Sequence, residues 1–215
     1  MTRSPEPTNN RTRGITAVIE GFFALAWFGW GTAQAAPWLT WILHVGQAGA
    51  ALVVVAGIAT VIRSRGERTP MADPEMRRRY NTIVAAEFAV LAVGSVILAA
   101  AGLTDWTAVW ICAGVGLHFL PLAGLFPDLW LVPLASAVTA VAGVGLIVGL
   151  TTDVAPSTVT GAGAGSCLLL AAAATLVQMR RDPIGVARLA EQPRRREESN
   201  HQQHADEGGR RRPPA

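Results

Sequence analysis

Lysine is absent from this sequence, so all eighteen basic residues are arginines. None falls within the long apolar stretches of the chain: the arginines lie before residue 14, between 63 and 79, and after 179. A pI near 9.6 would suggest nucleic acid for a water-soluble chain. Arginines that only flank apolar segments instead suit anionic lipid head groups, so no nucleic-acid partner is expected. Cysteine is scarce too. Cys112 and Cys167 are the two, both inside apolar runs, where they are expected to act as small packing residues and carry no information on redox compartment. Also lacking are a Walker phosphate loop, paired-cysteine metal sets, a His-Glu-x-x-His pair and a Gly-x-Ser-x-Gly elbow. These absences leave an ATPase, a redox enzyme or a membrane hydrolase of familiar type without support, and neither cofactor nor metal is expected.

What the chain does contain is apolar length. Hydrophobic residues make up 51% of the 215 and gather into six runs, at 14–33, 38–62, 81–103, 106–126, 129–150 and 157–179. At about 1.5 Å of rise per residue each run crosses a hydrocarbon core of about 30 Å as a helix. The runs are rich in Ala, Leu and Gly, do not alternate polar with apolar, and exceed the roughly ten residues of a barrel strand, which argues against strands. The fold expected is therefore an all-α, six-helix transmembrane bundle. Six crossings put the three arginine-bearing regions on one side, and the positive-inside rule makes that side the cytoplasm, with both termini in it. The opposite loops agree, since 34–37 is uncharged, 103–105 holds only Asp105 and 151–156 only Asp153. A multi-pass protein of the plasma membrane follows as the expected location.

Around this domain, residues 1–13 are expected to form a disordered arm and 180–215 a basic, largely disordered tail, with one or two turns of interfacial helix at 184–192. His201 and His204 in the tail have a metal-like spacing but no helix to hold it. Ala33-Gln34-Ala35 has the small-x-small pattern of a signal-peptidase site. The apolar segment before it exceeds the roughly 7–15 residues of a signal peptide and contains Glu20, so the first helix is expected to be retained. Trp30, Trp38, Trp41, Trp106 and Trp110 cluster at one end of the first four runs, as interfacial anchors do, with Trp130 and Tyr80 at the other; Trp27 lies deeper. The 63–80 connection, with its six arginines, is expected to be the longest loop and to pin the topology. Gly145 with Gly149, Gly161 with Gly165, and Ser136 with Ala140 recur at four-residue spacing, a pattern that lets helix backbones approach within the bundle.

Polar residues inside the runs are the candidate functional residues, because each costs free energy in hydrocarbon. Glu20 and Glu87 each lie six residues past the start of their runs, about 9 Å in, and His118 lies about 12 Å from the end of its own. All three fall in one layer, where two carboxylates and an imidazole could share a proton. His44 and Gln47 on the second run would extend a polar path toward the other face. Pro121, three residues after His118, removes one backbone donor and crowds the carbonyl of Leu117, which predicts a helix kink facing protein or water. Structural packing of these groups across helices is the competing explanation for each.

Glu20-Gly-Phe-Phe-Ala-Leu-Ala and Glu87-Phe-Ala-Val-Leu-Ala are faintly alike, each followed by a tryptophan-bearing turn and a histidine-bearing helix, as a parallel duplicated hairpin would be. The string Gly-Leu-His-Phe-Leu-Pro-Leu-Ala at 116–123, after Arg-Arg-Arg-Tyr and an Ala-Glu-bearing helix, resembles a group of small bacterial multi-pass membrane proteins. That resemblance implies a helical membrane bundle and supplies no activity or site residue. The functions expected are a small transporter or channel-like protein with a proton-sharing polar layer, or an accessory membrane protein that binds lipid or a partner. A membrane-embedded enzyme ranks third. The lipid bilayer and its anionic head groups are the expected partners, with a second copy or a membrane protein as a further one.

Overall fold

Three of the six long helices open on a proline, which has no N–H to lose and a φ already suited to a first helical turn. A computed structural model describes residues 9–67, 69–125 and 130–181. Its helices are α1 (Asn10–Thr32), α2 (Pro37–Arg63), α3 (Pro74–Ala100), α4 (Thr107–Leu125), α5 (Leu131–Thr151) and α6 (Pro156–Arg181). Short 3-10 turns at Pro70–Ala72 and Thr104–Trp106 precede α3 and α4, and no strand occurs among the described residues. All six helices are long and apolar enough to cross a membrane. The contacts divide the chain after Leu176. The first unit holds the bundle, and the described part of the second, Val177–Arg181, is the last turn of α6.

Two boundaries differ from the sequence reading, for one reason. Hydropathy marks the membrane, whereas capping marks the helix. The Asn9 side chain accepts from the Thr12 backbone N–H at 2.9 Å, so α1 begins four residues before the apolar run, and Asn10–Arg13 are helical where a disordered arm was expected. Likewise the Asp73 carboxylate accepts from the Glu75 N–H at 3.0 Å and Pro74 follows it. Arg77, Arg78 and Arg79 therefore belong to the first turns of α3, and the connection from α2 shortens to 64–73. That connection is tied to α1, because the Arg11 backbone N–H donates to Glu67 Oε2 at 3.1 Å and its guanidinium donates to the carbonyls of Arg65 and Glu67. At the far end of α3, Gly102 takes a φ of 72° and Leu103 N–H returns to the Leu98 carbonyl at 2.8 Å, a left-handed stop that a side chain would oppose. The 127–128 loop and the tail, including its expected interfacial helix, His201 and His204, lie outside the described residues.

The bundle is small inside and large outside. Alanine is the commonest buried side chain, while Trp41, Val45 and Leu52 on α2 are 76%, 72% and 71% exposed. In water such apolar coverage would drive association; in lipid it costs nothing, and the small interior lets backbones close in. One close backbone approach joins α6 to α1, where a Cβ at Gly161 would stand 2.5 Å from the Gly31 Cα and 2.6 Å from the Trp27 carbonyl oxygen. The Phe28 ring lies against both Gly165 of α6 and Gly46 of α2. Gly145 meets the Thr160 methyl and Gly149 meets Pro156, so the four-residue glycine pairs of α5 and α6 pack within this bundle. Trp27, only 4% exposed, faces a neighbour rather than lipid and stacks on Trp30 with centroids 5.6 Å apart. The central cluster takes Ala24, Trp27 and Phe28 from α1, Leu43 and Ala50 from α2, Cys112 from α4, Leu134, Val138 and Ala142 from α5, and Ala164 and Leu168 from α6. No residue of α3 belongs to it, and α3 is the least buried of the six spans.

Candidate functional site

Helix α3 runs antiparallel beside α4, and their seam is built from two interlocking side chains. Leu91 lies against Gly114 of α4, and the Trp110 ring lies against Gly94 of α3. The Trp110 indole N–H then donates to the Leu91 carbonyl at 3.2 Å. The glycines were visible in the sequence, but which aromatic would seat on them was not, since Trp110 also fits the interfacial belt. This clasp fixes the rotation of α3 on α4.

With that rotation set, Glu87 lies one turn from Leu91 and His118 one turn from Gly114, so both enter the same seam. Glu87 Oε2 and His118 Nδ1 are 2.9 Å apart, with the side chains 14% and 11% exposed. At that separation the Nδ1–H donates to the carboxylate, and a protonated imidazole makes it an ion pair. Two of the residues expected at one depth are thus brought into direct contact from different helices. Helix α4 continues as an α-helix through Pro121 to Leu125. Because proline offers no N–H, the Leu117 carbonyl beside His118 lacks the donor that residue 121 would otherwise supply.

Glu20 is 8% exposed and sits on the inward stripe of α1 with Ala17, Ala24 and Trp27. The stripe fixes its direction toward the bundle, and the described packing of α1 is against α2 and α6. On α2, His44 Nδ1 lies 2.9 Å from Gln47 Oε1, an i, i+3 contact on an exposed face, with the Trp41 ring edge-on to the imidazole at 6.4 Å. His44 therefore has its hydrogen bond within its own helix, unlike His118. The structure adds one polar contact that sequence reasoning missed: Ser157 Oγ, at the start of α6, donates to Gln34 Oε1 at 3.1 Å and ties that helix to the α1–α2 turn. Both cysteines are free, and the Cys112 thiol donates to the Val138 carbonyl of α5 at 3.4 Å, a packing role.

These elements define an all-α protein of six membrane-length apolar helices with a carboxylate–imidazole pair between α3 and α4. Comparison with family models, with curated proteins and with solved structures gives no match for this chain.

Proposed function

We propose that this is a multi-pass plasma-membrane protein with both termini cytoplasmic, and that it moves a small solute or ion in a proton-linked manner through Glu87 and His118. The observation that carries this reading is the 2.9 Å approach of a carboxylate and an imidazole between two apolar helices, with both side chains largely buried. With Glu87 ionised and His118 as the imidazolium, the pair is neutral overall and held by a charge-assisted bond. Loss of a proton from the imidazolium leaves a net negative charge in the seam, and protonation of the carboxylate weakens the attraction. Either change weakens the link between α3 and α4. Because α3 is the least buried span, a weaker link lets it shift against the bundle, which is the kind of element that gates a membrane pathway. Glu20 and the His44–Gln47 pair extend the reading as further polar groups along the spans.

The test is flux in proteoliposomes carrying an internal pH dye. Wild-type protein is expected to pass protons when a pH gradient is imposed, and Glu87→Gln and His118→Ala to lose this flux while inserting normally. Absence of flux in the wild type would refute the reading.

A second reading is favoured by the exposed face of α3, where Phe88, Val90, Val93 and Val96 point away from the bundle. As an accessory protein binding lipid or a membrane partner, the chain would co-purify with that partner and show no flux.

A further inference from the structure

Above the ion pair, toward the arginine-bearing end of α3, the same seam opens into a groove of about 590 Å3. One wall is Arg78, Arg79 and Thr82 on α3; the other is Pro121, Gly124 and Leu125 on α4. Residues 75, 78, 79, 82 and 83 follow the i, i+3, i+4, i+7, i+8 spacing of one helix face, and that face continues to Glu87 one turn further on. On α4 the opposing face runs from His118 through Pro121 to Gly124 and Leu125. The Glu87–His118 pair therefore lies one turn below the groove in the same seam. Among the described residues, a Cβ at Gly124 would meet nothing within 4 Å.

The chemistry of the walls is graded. At the rim, Glu75 lines the groove and its carboxylate is bonded by Arg79 Nη2 at 2.6 Å, so this pair is neutral. Arg78 adds the net positive charge, and among the described residues its guanidinium has no acceptor. Thr82 donates its hydroxyl proton to the Arg78 carbonyl at 3.0 Å, leaving the guanidinium groups as the donors for an occupant. Below the rim the lining is Ile83, Pro121 and Leu125, all apolar. By helical rise, Arg78 stands about 13 Å above Glu87 and Pro121 about 4 Å above His118. An occupant must therefore bear its negative charge at one end and an apolar portion on the order of 10 Å long beneath it. A soluble anion satisfies only the rim.

We propose that this groove is a binding site for an anionic phospholipid, with the head-group phosphate on Arg78 beside Arg79 and the first acyl methylenes against Ile83, Pro121 and Leu125. The guanidinium fork matches phosphate geometry, the volume lies within the range of small-molecule sites of about 300–1,000 Å3, and the rim sits where charged residues border a membrane span. The site does not depend on proton linkage at the Glu87–His118 pair, and a chain that passes no protons would still bind lipid here.

The experiment is native mass spectrometry of the full chain in detergent with added phosphatidylglycerol, phosphatidylcholine of the same acyl chains, or inorganic phosphate alone. Phosphatidylglycerol is expected to be retained by wild type in preference to phosphatidylcholine. Arg78→Gln should weaken that retention at least about tenfold, since a hydrogen bond to a charged group is lost, while Arg65→Gln in the α2–α3 connection leaves it unchanged. Gly124→Leu, which fills the apolar part with every charge in place, should also release the lipid, and it serves as the test if Arg78→Gln fails to fold. Equal retention of the two lipids, wild-type retention in Arg78→Gln or Gly124→Leu, an equal loss in Arg65→Gln, or binding of inorganic phosphate as tight as the lipid overturns the proposal.

Discussion

Replacing His118 by alanine leaves the Glu87 carboxylate in the α3–α4 seam without the imidazole that lies 2.9 Å from it. Two limits bracket the cost. An exposed ion pair contributes about 0–1 kcal/mol, whereas stripping one partner from a fully buried pair costs about 3–5 kcal/mol. With side chains 11% and 14% exposed, the pair sits near the buried limit but retains some access to water or head groups. His118→Ala is therefore expected to cost about 2–3 kcal/mol. Glu87→Gln keeps a carbonyl oxygen for the Nδ1–H and should cost only about 1 kcal/mol. On the Glu87→Gln background, His118→Ala removes a neutral bond instead of stranding a charge, so its cost should fall to about 1 kcal/mol. The coupling between the two sites is then about 1–2 kcal/mol. Interhelical polar pairs in membrane bundles average about 0.6 and reach about 1.7 kcal/mol, which places this pair at the strong end because it carries charge. Equilibrium unfolding of the four proteins in mixed micelles measures the cycle directly. A coupling below about 0.3 kcal/mol, or the same cost for His118→Ala on both backgrounds, would refute the reasoning, because the contact would then carry no interaction of its own.

Other outcomes follow from the packing and the caps. Gly161→Ala puts a methyl 2.5 Å from the Gly31 backbone, which cannot rotate away, so a loss of about 1–3 kcal/mol is expected in the same unfolding assay; Gly124→Ala, where no described residue lies within 4 Å of the added methyl, should cost under about 0.5 kcal/mol. Arg11→Ala removes the guanidinium bonds to the Arg65 and Glu67 carbonyls and should make the 64–73 connection cleave at least several-fold faster under limited proteolysis, with the helices intact. Trp110→Phe keeps an aromatic ring against Gly94 but loses the indole bond to the Leu91 carbonyl, for about 0.5–1.5 kcal/mol by thermal unfolding; a neutral result would assign the seam to packing alone. Reporters fused before Met1 and after Ala215 are expected to register on the cytoplasmic side, and a periplasmic signal from either would overturn the proposed topology.

Sequence alone decided how many helices there are and of what kind. Hydrocarbon tolerates about twenty apolar residues in a row and rejects arginine, and both constraints are one-dimensional, so six arginine-free apolar runs suffice to count six spans. Their ends were legible only where the cap was considered with the hydropathy. Asn9 and Asp73 carry α1 and α3 outward past the apolar boundary, because a helix stops where its orphan N–H groups are satisfied and not where lipid begins. That Glu87 and His118 sit at a common level of their two helices was also legible, since rise per residue is constant. Whether they met was not, because a helix that is apolar all round carries no stripe to announce which face turns inward. Only the tertiary structure decided that rotation. Trp110 seats against Gly94 and Leu91 against Gly114, and those two contacts turn Glu87 and His118 toward each other and leave the groove above them open, because shape complementarity between two helices is a property of the pair and is written in neither helix alone.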